Sequence, residues 1–293
     1  MKGSLKARLI DICLFYAAGI WGATFFVVKR SLEDIDPVIL VGYRFFIASA
    51  ILLVYLLLKR KPVFKNIKSG FVLGSLLWLL YIPQTIGLVY TTASNSGFIT
   101  GLYVAFVPIF SLILFRKKPS IKDTIAVFVS LTGLYVLTGG STDVNIGDII
   151  TLITAMAAAL HILFGDKFVK SDIDPYILSF QQFTFVSLFS FITGLVFRLP
   201  FSFELVSTFW IVLFLAMFPT LSAFVIMLVA QKTTSPLKIS LIFALEPVFA
   251  ALFAWTVGGE AFVPHRAMGG LLIVLAIVIS TINFNTVFSL KSK

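Results

Sequence analysis

Along most of the chain, apolar residues run in blocks of about twenty separated by short polar gaps. Ten such windows stand out, at residues 9–28, 37–58, 69–90, 94–115, 121–138, 148–168, 175–197, 207–230, 237–257 and 265–287. A bilayer core takes about 20 residues of helix to cross, and a backbone in lipid must satisfy its own hydrogen bonds. Each window therefore predicts a transmembrane helix. The fifth window is short, and the fourth begins in the polar run Thr91-Thr92-Ala93-Ser94-Asn95-Ser96.

The pattern repeats. Asp34-Ile35-Asp36-Pro37 recurs as Asp172-Ile173-Asp174-Pro175, each followed one residue on by Ile-Leu, at an offset of 138. At the same offset Lys29 falls on Lys167 and Phe26 on Phe164. Ala105-Phe106-Val107-Pro108-Ile109-Phe110 aligns with Ala244-Leu245-Glu246-Pro247-Val248-Phe249 at 139. Matches at both ends of a repeat with nearly one offset point to a duplicated unit. The expected organisation is one five-helix repeat over 1–140 and a second over 141–293. Five is odd, so the second repeat enters the membrane in the opposite sense. The predicted fold is an all-α integral membrane protein of ten transmembrane helices in two inverted-topology repeats, a design in which substrates bind near the midplane between halves.

Composition fits lipid as the solvent. The 293 residues are 59% hydrophobic and 12% charged, about half the charged fraction of a soluble domain. The net charge of +10 lies in short clusters between apolar runs, which fits membrane orientation and not nucleic acid. With the N-terminus cytoplasmic, 18 of the 23 Lys and Arg fall on inside segments, 4 on outside segments, and Arg44 within the second helix. Both termini are thus expected in the cytoplasm. Lys2, Lys6 and Arg8 before an apolar run resemble a signal peptide, but the run continues to Val28, so it is read as a retained first helix. The single Cys13 excludes an intramolecular disulfide and is expected as a small core residue.

Trp21-Gly22-Ala23-Thr24-Phe25, Tyr43-Arg44-Phe45, Leu245-Glu246-Pro247-Val248-Phe249-Ala250-Ala251-Leu252, Gly258-Gly259-Glu260 and Gly269-Gly270-Leu271-Leu272-Ile273 together resemble the drug/metabolite transporter superfamily, specifically its EamA-type members. The resemblance covers the whole chain. It implies a ten-helix carrier of a bacterial inner membrane, with a central cavity lined by helices one to four and six to nine and with helices five and ten as peripheral supports. Members export amino acids or other metabolites, and related families exchange nucleotide sugars or triose phosphates. The chain departs from the family where helix four ends in Arg116-Lys117-Lys118-Pro119 in place of a Gly-Glu pair.

Two signals mark residues that could carry transport. The first is proline inside a span: Pro83, Pro108, Pro219 and Pro247 each remove a backbone donor and bend a helix. They pair across the repeats, three with eight and four with nine, which suits hinges around a cavity as well as ordinary membrane-helix packing. The second is a polar group at membrane depth. Glu246 must pair, face water or be protonated, and so either carries a proton or meets a cationic substrate group, or else serves as a structural carboxylate. Arg44 binds a substrate carboxylate, pairs with Asp36 or Glu33, or snorkels to the interface. His161 titrates near neutrality or sits buried and hydrogen-bonded. Trp21, Thr24 and Phe25 share one helical face with Val28. Trp78, Tyr81, Gln84, Asn95, Tyr103, Gln181 and Gln182 complete the candidate lining, where aromatics beside polar groups suit amphipathic ligands. Gly97, Gly101 and Ala105 read as a close-packing stripe.

Motifs for chemistry are absent: no H-E-x-x-H, no phosphate-cradling G-x-x-x-x-G-K-[ST], no Cys/His cluster with metal spacing. No catalytic residue, metal or cofactor is expected, so an intramembrane enzyme on lipid-linked substrates is disfavoured. The expected function is secondary transport of small metabolites, namely export of amino acids or related compounds, with proton coupling as an option. An exporter of amphipathic organic cations is the alternative.

Overall fold

The computed structural model describes residues 2–91, 93–137, 145–256 and 262–281, apart from the side chains of residues 2–7, 94, 95, 251, 254 and 281. Among the described residues every regular element is helical. These are α1 (Lys2–Ser31), α2 (Pro37–Leu58), α3 (Ile67–Tyr90), α4 (Ala93–Gly101), α5 (Tyr103–Phe115), α6 (Ile121–Leu137), α7 (Ile146–Lys170) and α8 (Pro175–Val196). Then follow α9 (Val206–Leu215), a π-helical segment (Ala216–Ser222), α10 (Ala223–Gln231), α11 (Pro236–Phe243), α12 (Glu246–Thr256) and α13 (Pro264–Thr281). Seven stretches among them are long and apolar enough to cross a membrane, with Pro264–Ser280 a shorter apolar helix. Large apolar side chains such as Phe46, Ile113, Phe128, Leu195 and Leu271 lie exposed on the outer faces. Lipid is the medium that makes such a surface stable. Cys13 belongs to that exposed face of α1 and is not the core residue expected of it, because α1 buries Leu14, Ala17 and Ala18 instead.

The recurring Asp-Pro pair has a local cause. Asp36 caps α2 by accepting from the Val38 and Ile39 amides, and Asp174 caps α8 by accepting from Tyr176. Each is followed by proline at the first helical position, where the missing N–H costs nothing. Both helices also end alike. Lys61 N–H bonds the Leu56 carbonyl at 2.9 Å and Leu199 N–H bonds the Gly194 carbonyl at 2.8 Å. Arg60 and Arg198 hold the left-handed turn between, at φ 51° and 55°. These positions all correspond at an offset of 138.

The predicted prolines act in four different ways. Pro83 stays within an unbroken α3, and in the turn before it the Leu80 carbonyl accepts from the Thr154 hydroxyl of α7 at 3.0 Å. Pro108 also stays inside a helix, α5, while the break before it falls at Leu102, beside the weak helix former Gly101. Pro219 sits in the π-helical segment: the Ala223 amide reaches back five residues to Phe218, which leaves the Pro219 carbonyl free. Pro247 lies just beyond a break. It has no amide for the Phe243 carbonyl, so α11 ends there and α12 starts at Glu246. The fourth and ninth windows are therefore each two helices, not one.

Side-chain contacts sort the helix ends into two groups. At one end Lys61 pairs with Asp174 (2.9 Å), Lys238 with Asp11 (2.6 Å), and Lys122 donates to the Ser280 carbonyl. This basic end also holds Lys59, Arg60, Lys65 and Lys117 in sequence next to those groups. At the opposite end Asp34 accepts from the Thr208 hydroxyl at 2.6 Å and from the Glu204 and Leu205 amides. There, too, Thr91 donates to Asp148, and Lys29 donates to the Leu88 and Thr91 carbonyls. Helix pairing is equally regular. α2 lies along α8 and α6 along α13, while α3 packs on α7 as α10 and the π-helical segment pack on α1. α6 and α13 approach so closely that a Cβ on Gly133 would stand 2.8 Å from the Gly269 carbonyl oxygen, and only glycine fits.

Candidate functional site

A cavity of about 690 Å³, mouth included, lies in the middle of the bundle. Its walls come from α1, α2, α3, α4 and α5 on one side and from α7, α10, α11 and α12 on the other. Among the described residues α6 and α13 contribute no lining, and α8 reaches the cavity through an intermediary. On α1 the lining residues are Trp21, Thr24, Phe25 and Val28, the helical face anticipated from their spacing. They sit in the part of α1 nearer Ser31. Leu80, Tyr81, Gln84, Thr85 and Leu88 lie in the matching part of α3, so the cavity extends toward the end of the bundle opposite the basic one.

Arg44 projects into this space from the second turn of α2. It is 3% exposed. Its Nε donates to Thr220 Oγ1 at 2.8 Å and its guanidinium carbon stands 4.7 Å from the Tyr81 ring centroid. It neither snorkels nor pairs with Asp36, whose carboxylate is committed to capping α2. Among the described residues no carboxylate comes within ion-pair distance of it. A guanidinium carries five N–H donors, and a buried one without a counter-ion is expensive. The cation–π contact with Tyr81 recovers about 1–2 kcal/mol.

Glu246, 8% exposed, begins α12 on the far wall, and Tyr103 donates to its Oε1 across a long 3.4 Å contact. The break between α11 and α12 places it there. Gly22 of α1 makes room: a Cβ on Gly22 would collide with the Glu246 carbonyl oxygen and stand 3.0 Å from the Ala250 nitrogen. The family-like Trp-Gly pair of α1 thus serves two jobs. Gly22 admits the Glu246 turn, and the Trp21 indole N–H donates to the free Pro219 carbonyl at 2.7 Å. Trp21 also stacks edge-on against Phe243 at 4.7 Å and tilts against Phe224 at 5.0 Å.

His161 closes the floor on α7. Its Nε2 shares a 2.7 Å hydrogen bond with Gln182 Oε1, and Phe224 meets its ring edge-on. Gln182 thus backs the lining without joining it. Gln84 Nε2 donates to Thr100 Oγ1 at 3.1 Å, while the Thr24 and Thr85 hydroxyls bond carbonyls of their own helices.

Of the residues singled out from sequence, the cavity gathers Trp21, Thr24, Phe25, Arg44, Tyr81, Gln84, Tyr103, His161 and Glu246. Trp78 lies one turn away, against Phe189. Gln181 donates to the Val63 and Lys65 carbonyls and pins the loop after α2. The side chain of Asn95 lies outside the described residues, as do Gly258, Gly259 and Glu260. Sequence reasoning passed over Thr220, Thr100 and Phe224. Thr220 had a visible signal, since a hydroxyl beside an in-helix proline can bond the carbonyl that proline frees. It does so here, to Leu215 at 2.7 Å. Among the described residues no group of His, Cys, Asp and Glu could hold a metal.

Comparison with known proteins fits this arrangement. The model of the EamA-like transporter family matches residues 8–139 and again 145–282. An uncharacterized transporter of Archaeoglobus fulgidus is 34% identical over 280 residues, 94% of this chain and 86% of its own. The uncharacterized transporter YyaM of Bacillus subtilis is 26% identical over 290 residues, covering 94% of each chain. The uncharacterized inner membrane transporter YedA of Escherichia coli is 29% identical over 161 residues, 53% of this chain and 52% of its own. A solved crystal structure with 18% identity superposes at a TM-score of 0.79 over 94% of this chain and 96% of that one, which shows a shared fold. With a family match over both halves and apolar-surfaced helices around a cavity that mixes aromatic, apolar and ionisable side chains, the chain belongs to the EamA-like transporter family and is a membrane transporter.

Proposed function

We propose that the chain is a secondary carrier of small zwitterionic metabolites, amino acids or related compounds, working by alternating access in a plasma or inner membrane. The observation that carries this is the pair of ionisable side chains on facing walls of one buried cavity, Arg44 and Glu246, with no counter-ion for Arg44 among the described residues. A substrate carboxylate supplies the partner that Arg44 lacks, and a substrate ammonium suits Glu246 and the nearby aromatic faces. The ring of Trp21, Phe25, Phe224 and Phe243 accommodates an apolar side chain. An amphipathic cation with no carboxylate leaves Arg44 unpaired beside it, which makes that alternative the weaker one.

The mechanism we infer has ten spans in two inverted repeats. Its supports are the two family matches, the shared caps of α2 and α8, and helix-end contacts that join only ends on one side of a ten-span alternation. The basic end faces the cytoplasm on this reading, since Lys and Arg accumulate on inner loops. The cavity then reaches toward the outer side and must reopen inward for each cycle. Export is the proposed direction, and Glu246 is the proposed proton carrier, alternating between a proton and the substrate's cationic group. Arg44, Tyr81, Tyr103 and His161 are the other titratable groups around this cavity.

Proteoliposomes loaded with labelled amino acids test the reading directly. Counterflow of an amino acid but not of its decarboxylated amine is the expected result. Glu246→Gln is expected to abolish the dependence on an imposed proton gradient while exchange persists. Transport of the amine at the rate of the amino acid would overturn the substrate class, and an unchanged gradient dependence in Glu246→Gln would overturn the role of that carboxylate.

A further inference from the structure

A second concavity lies away from the transport cavity, at the basic end. It sits between the last turn of α2, the first turn of α8 and the turn that follows α10, and includes Tyr55, Lys61, Asp174, Tyr176 and Lys232. Three candidate spans end here, at Leu58, Pro175 and Gln231. The niche therefore stands at headgroup depth. Leu57 and Leu58 beside it are 58% and 78% exposed and face the surrounding hydrocarbon or its boundary. Tyr55 and Tyr176 flank it with ring centroids 5.6 Å apart, amphipathic rings of the kind that settle at membrane interfaces.

The charges do not balance. Lys61 is paired with Asp174 at 2.9 Å, and Asp174 already accepts from the Tyr176 amide. Lys232 forms no ion pair among the described residues, so two ammonium groups face one carboxylate. The fold itself does not demand this. At the position equivalent to Lys61, the identically built end of α8 carries Leu199, which is half-buried against the apolar core. Of these two equivalent helix ends, the basic niche thus occurs at the α2 end and not at the α8 end.

We propose that this niche binds a phosphate-bearing anion, with an anionic phospholipid headgroup as its source. The phosphate would meet Lys232 first and share Lys61 with Asp174, while the acyl chains run down past Leu57 and Leu58. Basic pockets between transmembrane helices recognise such headgroups by this combination of charge and depth. The bound lipid would bridge α2 to α8 and α10 and so stabilise the folded bundle.

The test is thermal unfolding of the purified full chain in nanodiscs of phosphatidylcholine, with and without phosphatidylglycerol of the same acyl chains. A parallel arm in phosphatidylcholine adds inorganic phosphate. Phosphatidylglycerol is expected to raise Tm by about 5 °C. Lys232→Gln, which breaks no ion pair, is expected to lose most of that shift. Lys117→Gln, which removes one charge from another loop of the same end, should keep it. If phosphate alone reproduces the shift and Lys232→Gln abolishes it, the niche stands and its ligand is soluble. Equal Tm in both lipids overturns the proposal, as does a full shift in Lys232→Gln or an equal loss in both variants.

Discussion

Pro83 and Pro219 occupy nearly corresponding places in the two halves, and each local turn is stitched to the first helix of the other half. At Pro83 the donor is the Thr154 hydroxyl of α7, and α3 continues as a regular helix. At Pro219 the donor is the Trp21 indole of α1, and the helix widens into seven residues of π geometry. The second turn also holds Thr220, on which Arg44 rests. The Pro83 segment lines the cavity itself, through Leu80, Tyr81, Gln84 and Thr85. The other anchors two cavity-lining side chains, and π-helical turns tend to be kept where function repays their poorer geometry. The family model matches both halves, yet the two proline turns serve the cavity differently, one by lining it and the other by holding Trp21 and Arg44.

The hardest way to break this asymmetry is at Gly22. Its counterpart in the 138-residue register is Leu160, so Gly22→Leu copies the second half into the first. The new Cβ meets backbone of α12, not a movable side chain, and overpacking of this kind costs about 3 kcal/mol. The bundle is expected to unfold in detergent at a Tm lower by about 8 °C. Gly19→Ala three residues earlier meets only the Phe249 ring at 3.7 Å and should be neutral or slightly stabilising. Equal behaviour of the two variants would mean that α1 does not approach α12 at Gly22.

A smaller effect on stability, and a larger one on transport, belongs to Arg44. Arg44→Met keeps length and apolar bulk while removing a buried charge, so stability should hold or rise. Transport of carboxylate-bearing substrates is expected to fall at least tenfold, the loss of about 1.4 kcal/mol or more from one charge-assisted contact. Trp21→Phe comes next. It keeps the ring but strands the Pro219 carbonyl, at a cost of about 1–2 kcal/mol read as a lowered Tm. Tyr16→Phe, which loses only an exposed 3.0 Å bond to Ser222, makes the comparison and should cost little.

Much of this was legible in sequence, and the reasons differ by residue. Asp-Pro signatures and apolar windows located α2 and α8 because capping and burial are local rules. Nine lining residues were legible because polar and aromatic groups at membrane depth are costly unless they face something polar. Breaks were harder. Pro108 and Pro247 look alike in sequence, yet Pro247 follows its break directly and Pro108 stands six residues beyond one. Gln181 looked like lining, but long-range packing turns its amide to the Val63 and Lys65 carbonyls. Gly22 gave no local hint, since what it admits is 224 residues away.

The mildest test concerns the two ends, where Lys61 and Leu199 are held by the same helix-ending turn. Lys61→Leu makes the basic end resemble the other. The pair with Asp174 is half-exposed, so Tm should change little. What should change is closure, because on the alternating-access reading this ion pair joins the halves on the side where the cavity is shut. A cysteine placed at Ala158 in a Cys13→Ser background is then expected to react several-fold faster with an impermeant maleimide added from the basic side. The effect should be flat with pH through the neutral range. The hydrogen bond to Asp174 raises the Lys61 pKa, so its contribution is complete below 10.5 and is lost only as pH climbs past the raised value. Partial burial raises the Asp174 pKa, but the hydrogen bonds from Lys61 and the Tyr176 amide outweigh it and hold the carboxyl below 3.8. Its share is therefore present above 3.8 and is lost only as pH falls through that lowered value. Unchanged labelling in Lys61→Leu would leave closure to buried core side chains such as Leu52, Leu56, Leu77 and Leu178, with the ion pair a bystander.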